Sequence, residues 1–275
     1  MMMIDFEKPN ELIARMEQKI FCPERPDCKG KLYTGIDLGT ANIVVTVLDE
    51  NKQPVAGALQ EARVVKDGLV VDFIGAINIV RKLVQQVEEK LSRSLEEAAV
   101  AIPPGTRAED TRAIVNVVQA VGLEVTNVVD EPTAAATVLG IKDGAVVDIG
   151  GGTTGISILR DGHVIYVADE PTGGTHFSLV LAGAYNIGFE EAERLKRDPD
   201  KYDQVFPLVI PVIEKVADII NTHIAGRDAG PIFLVGGTAC LEGIEKVISR
   251  YTGLPTVKPY NPLLVTPLGI AMHCA

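Results

Sequence analysis

The chain has 275 residues, 47% of them apolar and 23% charged, with 26 Gly and 16 Pro, the balance of a folded protein with room for one large domain or two modest ones. Its 37 acidic residues against 26 basic ones leave a formal charge of −11, which repels a phosphate backbone over most of the surface and argues against nucleic acid as the main partner. No apolar run approaches the roughly 18 to 20 residues of a membrane span, and the polar start with Asp5, Glu7 and Lys8 lacks a signal-peptide pattern, so the expected location is cytoplasmic.

Leu12, Ile13, Met16 and Ile20 recur at helical spacing and predict an N-terminal helix, followed by a Pro- and charge-rich linker from Pro23 to Lys31. Cys22 and Cys28 fall here, at a spacing that suits neither a zinc knuckle nor a redox pair, so a turn-rich tether is the simpler reading. Tyr33 to Asp37 reads as a strand, Leu38 to Asn42 as a small-residue turn, and Ile43 to Leu48 as the returning strand. Ile74, Ile77, Val80, Val84, Val87 and Leu91 predict a helix over 74–91, and a short strand follows from Ala98 to Ile102. Beyond Pro103-Pro104-Gly105, the residues Ile114, Val117, Val118 and Val121 form one face of a helix that stops before Gly122, and a strand runs from Leu123 to Val129.

The second half repeats this grammar. Ala145 to Asp148 is an apolar strand ending in Asp, Gly150 to Thr154 is the turn, Gly155 to Leu159 returns, and Asp161-Gly162 turns into a strand from His163 to Val167. Helices follow at Phe189 to Arg197 and Pro207 to Ala225, then a strand at Ile232 to Val235, a Gly236-Gly237 turn, and a helix through Ile244, Val247 and Ile248. Asp37 and Asp148 therefore occupy equivalent points of a repeat. Two related α/β lobes with a cleft between them are the expected architecture, because the paired turns would face one another at the strand ends.

Two Gly/Thr turns, each preceded by an Asp, suit a metal-bound polyphosphate: small residues let backbone N–H groups approach oxygens, hydroxyls add donors, and carboxylates hold Mg²⁺ directly or through water. Either turn alone reads more simply as hairpin chemistry, and it is the pairing at equivalent places that points to a site. The segment Val128 to Ala136 ends a strand and opens a helix. Pro132 suits the first helical turn and an acidic residue before it suits the helix dipole, while the functional reading makes Glu131 a cleft carboxylate that orients a water for attack on a γ-phosphate. Asp169-Glu170-Pro171-Thr172 repeats that tetrapeptide, and the sequence does not decide between coincidence and meaning.

Five separated motifs resemble, in order, the signatures of the actin and DnaK-type chaperone ATPase superfamily: Gly35-Ile36-Asp37-Leu38-Gly39-Thr40, Val129 to Ala135, Val147 to Thr154, Leu234 to Thr238, and Asn261 to Ala271. Within it, Val65 to Gly68, Asp72 to Ala76, Ala101 to Thr106, Gly151 to Ile156 and Thr266-Pro267-Leu268 are similar to an ethanolamine-utilisation family. The resemblance implies an α/β, actin-like ATPase fold of two related lobes with a central nucleotide cleft. Residues 1–30 would be a helix and linker, 31–143 the first lobe, completed by 260–275, and 144–259 the second lobe. ATP or ADP and Mg²⁺ are the implied ligands, with Asp37 and Asp148 holding hydrated metal and Glu131, Asp148 and Asp37 doing the chemistry. Gly39, Thr40 and Ala41 with Gly150, Gly151, Gly152, Thr153 and Thr154 would wrap the phosphates. Gly173 and Gly174 would contribute to the second-lobe grip. Glu193, Lys196 and Arg197, which by themselves read as a solvated helix face, and Gly236, Gly237 and Thr238 would meet the nucleoside.

The interval before Ala98 is shorter than in the chaperones, and none of Lys52, Lys66 or Lys82 is assigned to a γ-phosphate. Three readings follow. The first is a slow, Mg-dependent ATPase, chaperone-like in its cycle, that acts on ethanolamine-utilisation enzymes or microcompartment proteins. The second is a nucleotide-held adaptor with weak or no turnover. The third, a small-molecule kinase, lacks a substrate-binding insertion and a separate catalytic Asp. Oligomeric state stays open, filaments included.

Overall fold

The computed structural model describes residues 6–22, 26, 29–66 and 68–275, so Cys28 and most of the predicted linker lie outside the described residues. The chain opens with α1 (Glu7–Phe21), whose Ile13, Met16 and Ile20 are buried at the predicted spacing. It continues through β1 (Tyr33–Leu38), β2 (Asn42–Leu48), β3 (Pro54–Glu61), the short hairpin β4 (Val65–Lys66) and β5 (Leu69–Val70), and α2 (Phe73–Leu91). β6 (Glu97–Ile102), α3 (Ala108–Gln119) and β7 (Glu124–Asp130) complete the first sheet, which runs β3-β2-β1-β6-β7.

After α4 (Glu131–Leu139), the order is β8 (Gly144–Ile149), β9 (Thr154–Arg160), β10 (His163–Glu170), α5 (Gly174–Tyr185), α6 (Phe189–Arg197), α7 (Tyr202–Ile224), β11 (Ile232–Val235), α8 (Ile244–Thr252), β12 (Thr256–Val257) and α9 (Val265–Met272). The second sheet runs β10-β9-β8-β11-β12, the same topology as the first: an antiparallel meander extended on one side by parallel strands. The repeat seen in the sequence is thus a repeat of topology.

Three apolar layers follow from this. α2 and α3 cover one face of the first sheet, with Val80, Leu83, Val87 and Val117 fully shielded. α5 to α8 cover one face of the second, around Phe177, Ile213, Val216 and Ile220. Between the sheets, α1, α4 and α9 pack Met16, Ala135, Leu139 and Leu268 against Val44 of the first and Val146 of the second. α1 therefore buries one face, Ile13, Met16 and Ile20, in this layer and leaves the other to solvent. Gly57 of β3 makes room for it, since a Cβ there would stand 2.7 Å from Ile20 Cγ1. No described helix is long and apolar enough to cross a membrane.

β3 and α5 are the longest elements that the sequence does not signal. β3 contains Pro54 and Gly57 among small residues and so lacks a strand signature, and α5 starts on Gly173-Gly174 and carries Gly183. α7 begins five residues before the expected Pro207 and runs through both Pro207 and Pro211. Each internal proline costs about 3 kcal/mol, and the buried row of Val205, Val209, Val212, Ile213, Val216 and Ile220 offsets it.

α9 approaches the backbone of α4 and of β1 most closely at two glycines. A Cβ on Gly269 would overlap the carbonyl of Ala134, and one on Gly35 would overlap the backbone N–H of Ala271. Gly269→Ala should therefore lower stability by about 1–3 kcal/mol in thermal denaturation. Gly183→Ala, where a Cβ meets nothing within 4 Å on an exposed helix face, should raise it by about 0.5–1 kcal/mol.

Candidate functional site

The β1–β2 and β8–β9 turns meet face to face between the lobes. A Cβ on Gly151 would stand 2.9 Å from that of Ala41, so only glycine lets the two turns approach this closely. Their cleft encloses about 1300 Å³ and is lined by Asp37, Gly39, Thr40, Ala41, Glu131, Asp148 and Gly150 to Thr153, together with Gly174, Glu193, Lys196, Arg197 and Gly236 to Thr238.

The second turn is tied from behind. Gly150 O accepts from Gly174 N at 2.9 Å and from the Thr238 hydroxyl at 2.8 Å, and Gly151 O accepts from Thr175 N at 2.8 Å and Thr175 Oγ1 at 2.9 Å. With these carbonyls engaged, the N–H groups of Gly151 and Gly152 have no acceptor among the described residues and remain free to meet anionic oxygens. Gly173 and Thr154 serve from outside the cleft wall. A Cβ on Gly173 would sit 2.8 Å from Gly150 O, and Thr154 is fully buried with its hydroxyl donated to Thr172 O at 2.6 Å.

Asp37 is the penultimate residue of β1, Asp148 that of β8, and Glu131 opens α4, so three carboxylates reach one cleft floor from three chain segments. Asp130 caps α4, accepting from Thr133 N at 3.0 Å and Thr133 Oγ1 at 2.7 Å, which leaves Glu131 to face the cleft. Asp148 Oδ2 accepts from the Thr266 hydroxyl of α9 at 3.1 Å, and its other oxygen occupies space that any side chain on Gly236 would fill.

Crowding makes all three reluctant to ionise. Burial first and the charge of Asp148 second push Asp37 up to about 7. Asp148 rises to about 6 through burial, partly offset by the Thr266 hydroxyl and reinforced by Asp169. Glu131 is raised well above its ordinary value, by burial and then by Asp148, Asp37, Asp169 and Asp130. Such a floor has a deficit of positive charge. Among the described residues no three His, Cys, Asp or Glu sit close enough together to ligate one ion directly.

Glu193 and Lys196, which alone read as a solvated helix face, are internal, with side chains 15% and 14% exposed. Lys196 Nζ donates to Glu193 Oε1 at 2.7 Å, Ser178 Oγ at 2.8 Å and Gly174 O at 2.9 Å. Burial pulls the Lys196 pKa down. For Glu193 burial acts upward, but the Lys196 charge and donors outweigh it and the net shift is downward. Of the three lysines left unassigned in the sequence, only Lys66 lines the cleft. Lys52 donates to Met272 O at 3.2 Å, and Lys82 donates to Gln60 Oε1 at 2.7 Å.

Asp169, Thr175 and Thr266 carry no site role in the sequence analysis, and the structure brings them to the cleft or its wall. Asp169 lies in the repeated Asp-Glu-Pro-Thr tetrapeptide and pairs in register with Gly155, so that a Cβ on Gly155 would stand 3.8 Å from its Oδ1. The repeat was the available signal for it. Thr266 lies within the closing motif, but its bond to Asp148 joins residues far apart in the chain.

The Hsp70 protein family profile matches residues 65–202, and that of the cell division protein FtsA matches residues 145–270. The ethanolamine utilization protein EutJ of Salmonella typhimurium is 46% identical over 241 residues, covering 87% of this chain and 85% of that protein. The crystal structure of EutJ from Carboxydothermus hydrogenoformans superposes with a TM-score of 0.92 at 50% identity, covering 96% of this chain and 97% of that one. MreB5 of Spiroplasma citri bound to ADP gives a TM-score of 0.71 at 19% identity over 88% of this chain and 95% of its own, a likeness of fold.

A carboxyl group whose folded pKa is raised adds stability at low pH that is lost as pH climbs through the folded value, here about 7 for Asp37. The melting temperature of ligand-free Asp37→Asn, relative to the unsubstituted protein, should therefore increase between about pH 5 and about pH 8. A flat difference would mean that Asp37 titrates normally.

Proposed function

The chain belongs to the EutJ family of ethanolamine-utilisation proteins, within the actin and Hsp70-type ATPase superfamily, and on that premise we propose that it binds ATP with Mg²⁺ in the central cleft and hydrolyses it slowly. The supporting observation is the pair of glycine turns facing each other across three carboxylates whose pKa values are raised. ADP in the Spiroplasma relative is consistent with a nucleotide in this fold.

In this reading the amides of Gly151 and Gly152, with Gly39, Thr40, Ala41, Gly150 and Thr153, hold the phosphates, while Gly173, Gly174 and Thr154 brace the turn. Asp37 and Asp148 hold hydrated Mg²⁺, which when bound neutralises charge on the polyphosphate. Glu131 orients the attacking water and accepts its proton, a role its raised proton affinity suits once it is ionised. Gly236, Gly237, Thr238, Glu193, Lys196 and Arg197 frame the nucleoside. We divide the chain into residues 1–30, a first lobe of 31–143 completed by 260–275, and a second lobe of 144–259. Opening and closing of these lobes would serve assembly of ethanolamine-utilisation enzymes or their microcompartment in the cytoplasm.

A second reading, a nucleotide-held adaptor without turnover, is favoured by the small β4–β5 hairpin and by the commitment of Lys52 and Lys82 elsewhere. Phosphate release from Mg·ATP separates the two. Glu131→Gln should lower turnover by about 100-fold or more while fluorescent ATP still binds. Binding with no turnover in either protein selects the adaptor, and no binding to the unsubstituted protein overturns both.

A further inference from the structure

Two ion pairs bridge the mouth of the cleft, apart from its carboxylate floor and glycine turns. Arg63, just beyond β3, presents both guanidinium nitrogens to both carboxylate oxygens of Glu190 on α6, one of them at 2.9 Å, and Arg197 of α6 meets Glu61 at the end of β3. The charges are crossed, with an acid and a base from each side. Arg63 also stands over the Phe189 ring, 5.0 Å from its centroid. All five residues line the cleft, and Arg197 donates in addition to Glu193 at 3.1 Å, the carboxylate that holds Lys196.

We propose that Glu61–Arg197 and Arg63–Glu190 form a two-point clasp that holds the cleft mouth shut over a bound nucleotide and sets its rate of release. This rests on the nucleotide-binding reading above. An ion pair within one lobe survives opening and cancels from the equilibrium, whereas a pair between lobes is lost each time they part. One exposed pair shifts such an equilibrium by about 1.5- to 5-fold, and two that break in the same motion act together. Arg197 joins the clasp to the interior through Glu193, so a ligand that moves Glu193 also moves one half of the clasp. Both pairs are exposed, with side chains 57% and 65% open in one and 42% and 70% in the other, so salt screens them.

The test uses Arg63→Glu alone and the reversed pair Arg63→Glu/Glu190→Arg, neither residue being part of the assigned binding set. Release of N-methylanthraniloyl-ATP into excess ATP is followed by stopped flow in Mg²⁺ buffer. Arg63→Glu should speed release by about fivefold or more, the reversed pair should return it to within about twofold of the unsubstituted protein, and added salt should speed release least in Arg63→Glu. Unchanged release in Arg63→Glu, or fast release that persists in the reversed pair, overturns the clasp. Amide hydrogen exchange at 150–153 and 236–238 without nucleotide gives a second readout, expected to be faster in Arg63→Glu and restored in the reversed pair. Should the unsubstituted protein bind no nucleotide, the nucleotide reading falls while exchange still decides the clasp, and equal exchange in all three proteins refutes it.

Discussion

Asp37, Glu131 and Asp148 reach the floor of one cleft from a strand end, a helix start and a second strand end, and like-charged groups so placed are stable only where protons, donors or a cation offset their repulsion. Much of the surrounding structure accommodates them. Gly236 has no side chain because Asp148 occupies that space, and Thr266 places α9 against the same carboxylate. Asp130 takes over the capping of α4 and so releases Glu131 to the cleft. Burial is the first cause that raises all three pKa values and neighbouring carboxylates add to it, so without a cation protonation is the relief that remains.

The duplicated topology makes this convergence geometrically simple. Each sheet delivers its first hairpin turn to the same side of the molecule, and the two turns touch at Ala41 and Gly151. The lobes are joined differently at base and mouth. At the base, α1, α4 and α9 form a continuous apolar layer, tight enough that Gly269 packs directly on the Ala134 carbonyl. At the mouth, the contacts are solvent-exposed ion pairs between β3 and α6. Close packing resists deformation and exposed pairs do not, so the physics favours parting at the mouth about a fixed base.

Motif spacing made the fold class and most of the cleft legible in advance, because a turn that must bring backbone N–H groups to a ligand restricts several consecutive residues at once. The paired Asp-Gly/Thr turns, the strand–helix junction at Glu131 and the Gly236-Gly237 turn all reach the cleft. Residues that act from behind the wall were harder to read. Thr154 and Gly173 carry the same residue types as the lining positions, yet their side-chain positions face the protein. Glu193 and Lys196 look like surface charges in sequence and are internal because Ser178 and Gly174 O, more than a dozen residues earlier, receive them. The bond from Thr266 to Asp148 spans more than a hundred residues that no local pattern connects, and for Asp169 the repeated tetrapeptide is the one signal in the sequence. β3 and α5 were missed because glycines and small residues there serve close packing and conceal the usual periodicity.

The central claim is that the cleft holds a polyphosphate through a cation that relieves the three carboxylates. Titration calorimetry with ATP, with and without Mg²⁺, in two buffers of different ionisation heat at slightly acid pH tests it most directly. Binding that requires Mg²⁺ and releases protons into the buffer is the expected result, since a cation at Asp37 and Asp148 displaces the protons their raised pKa values retain. ATP binding that is indifferent to Mg²⁺ and exchanges no protons would contradict it.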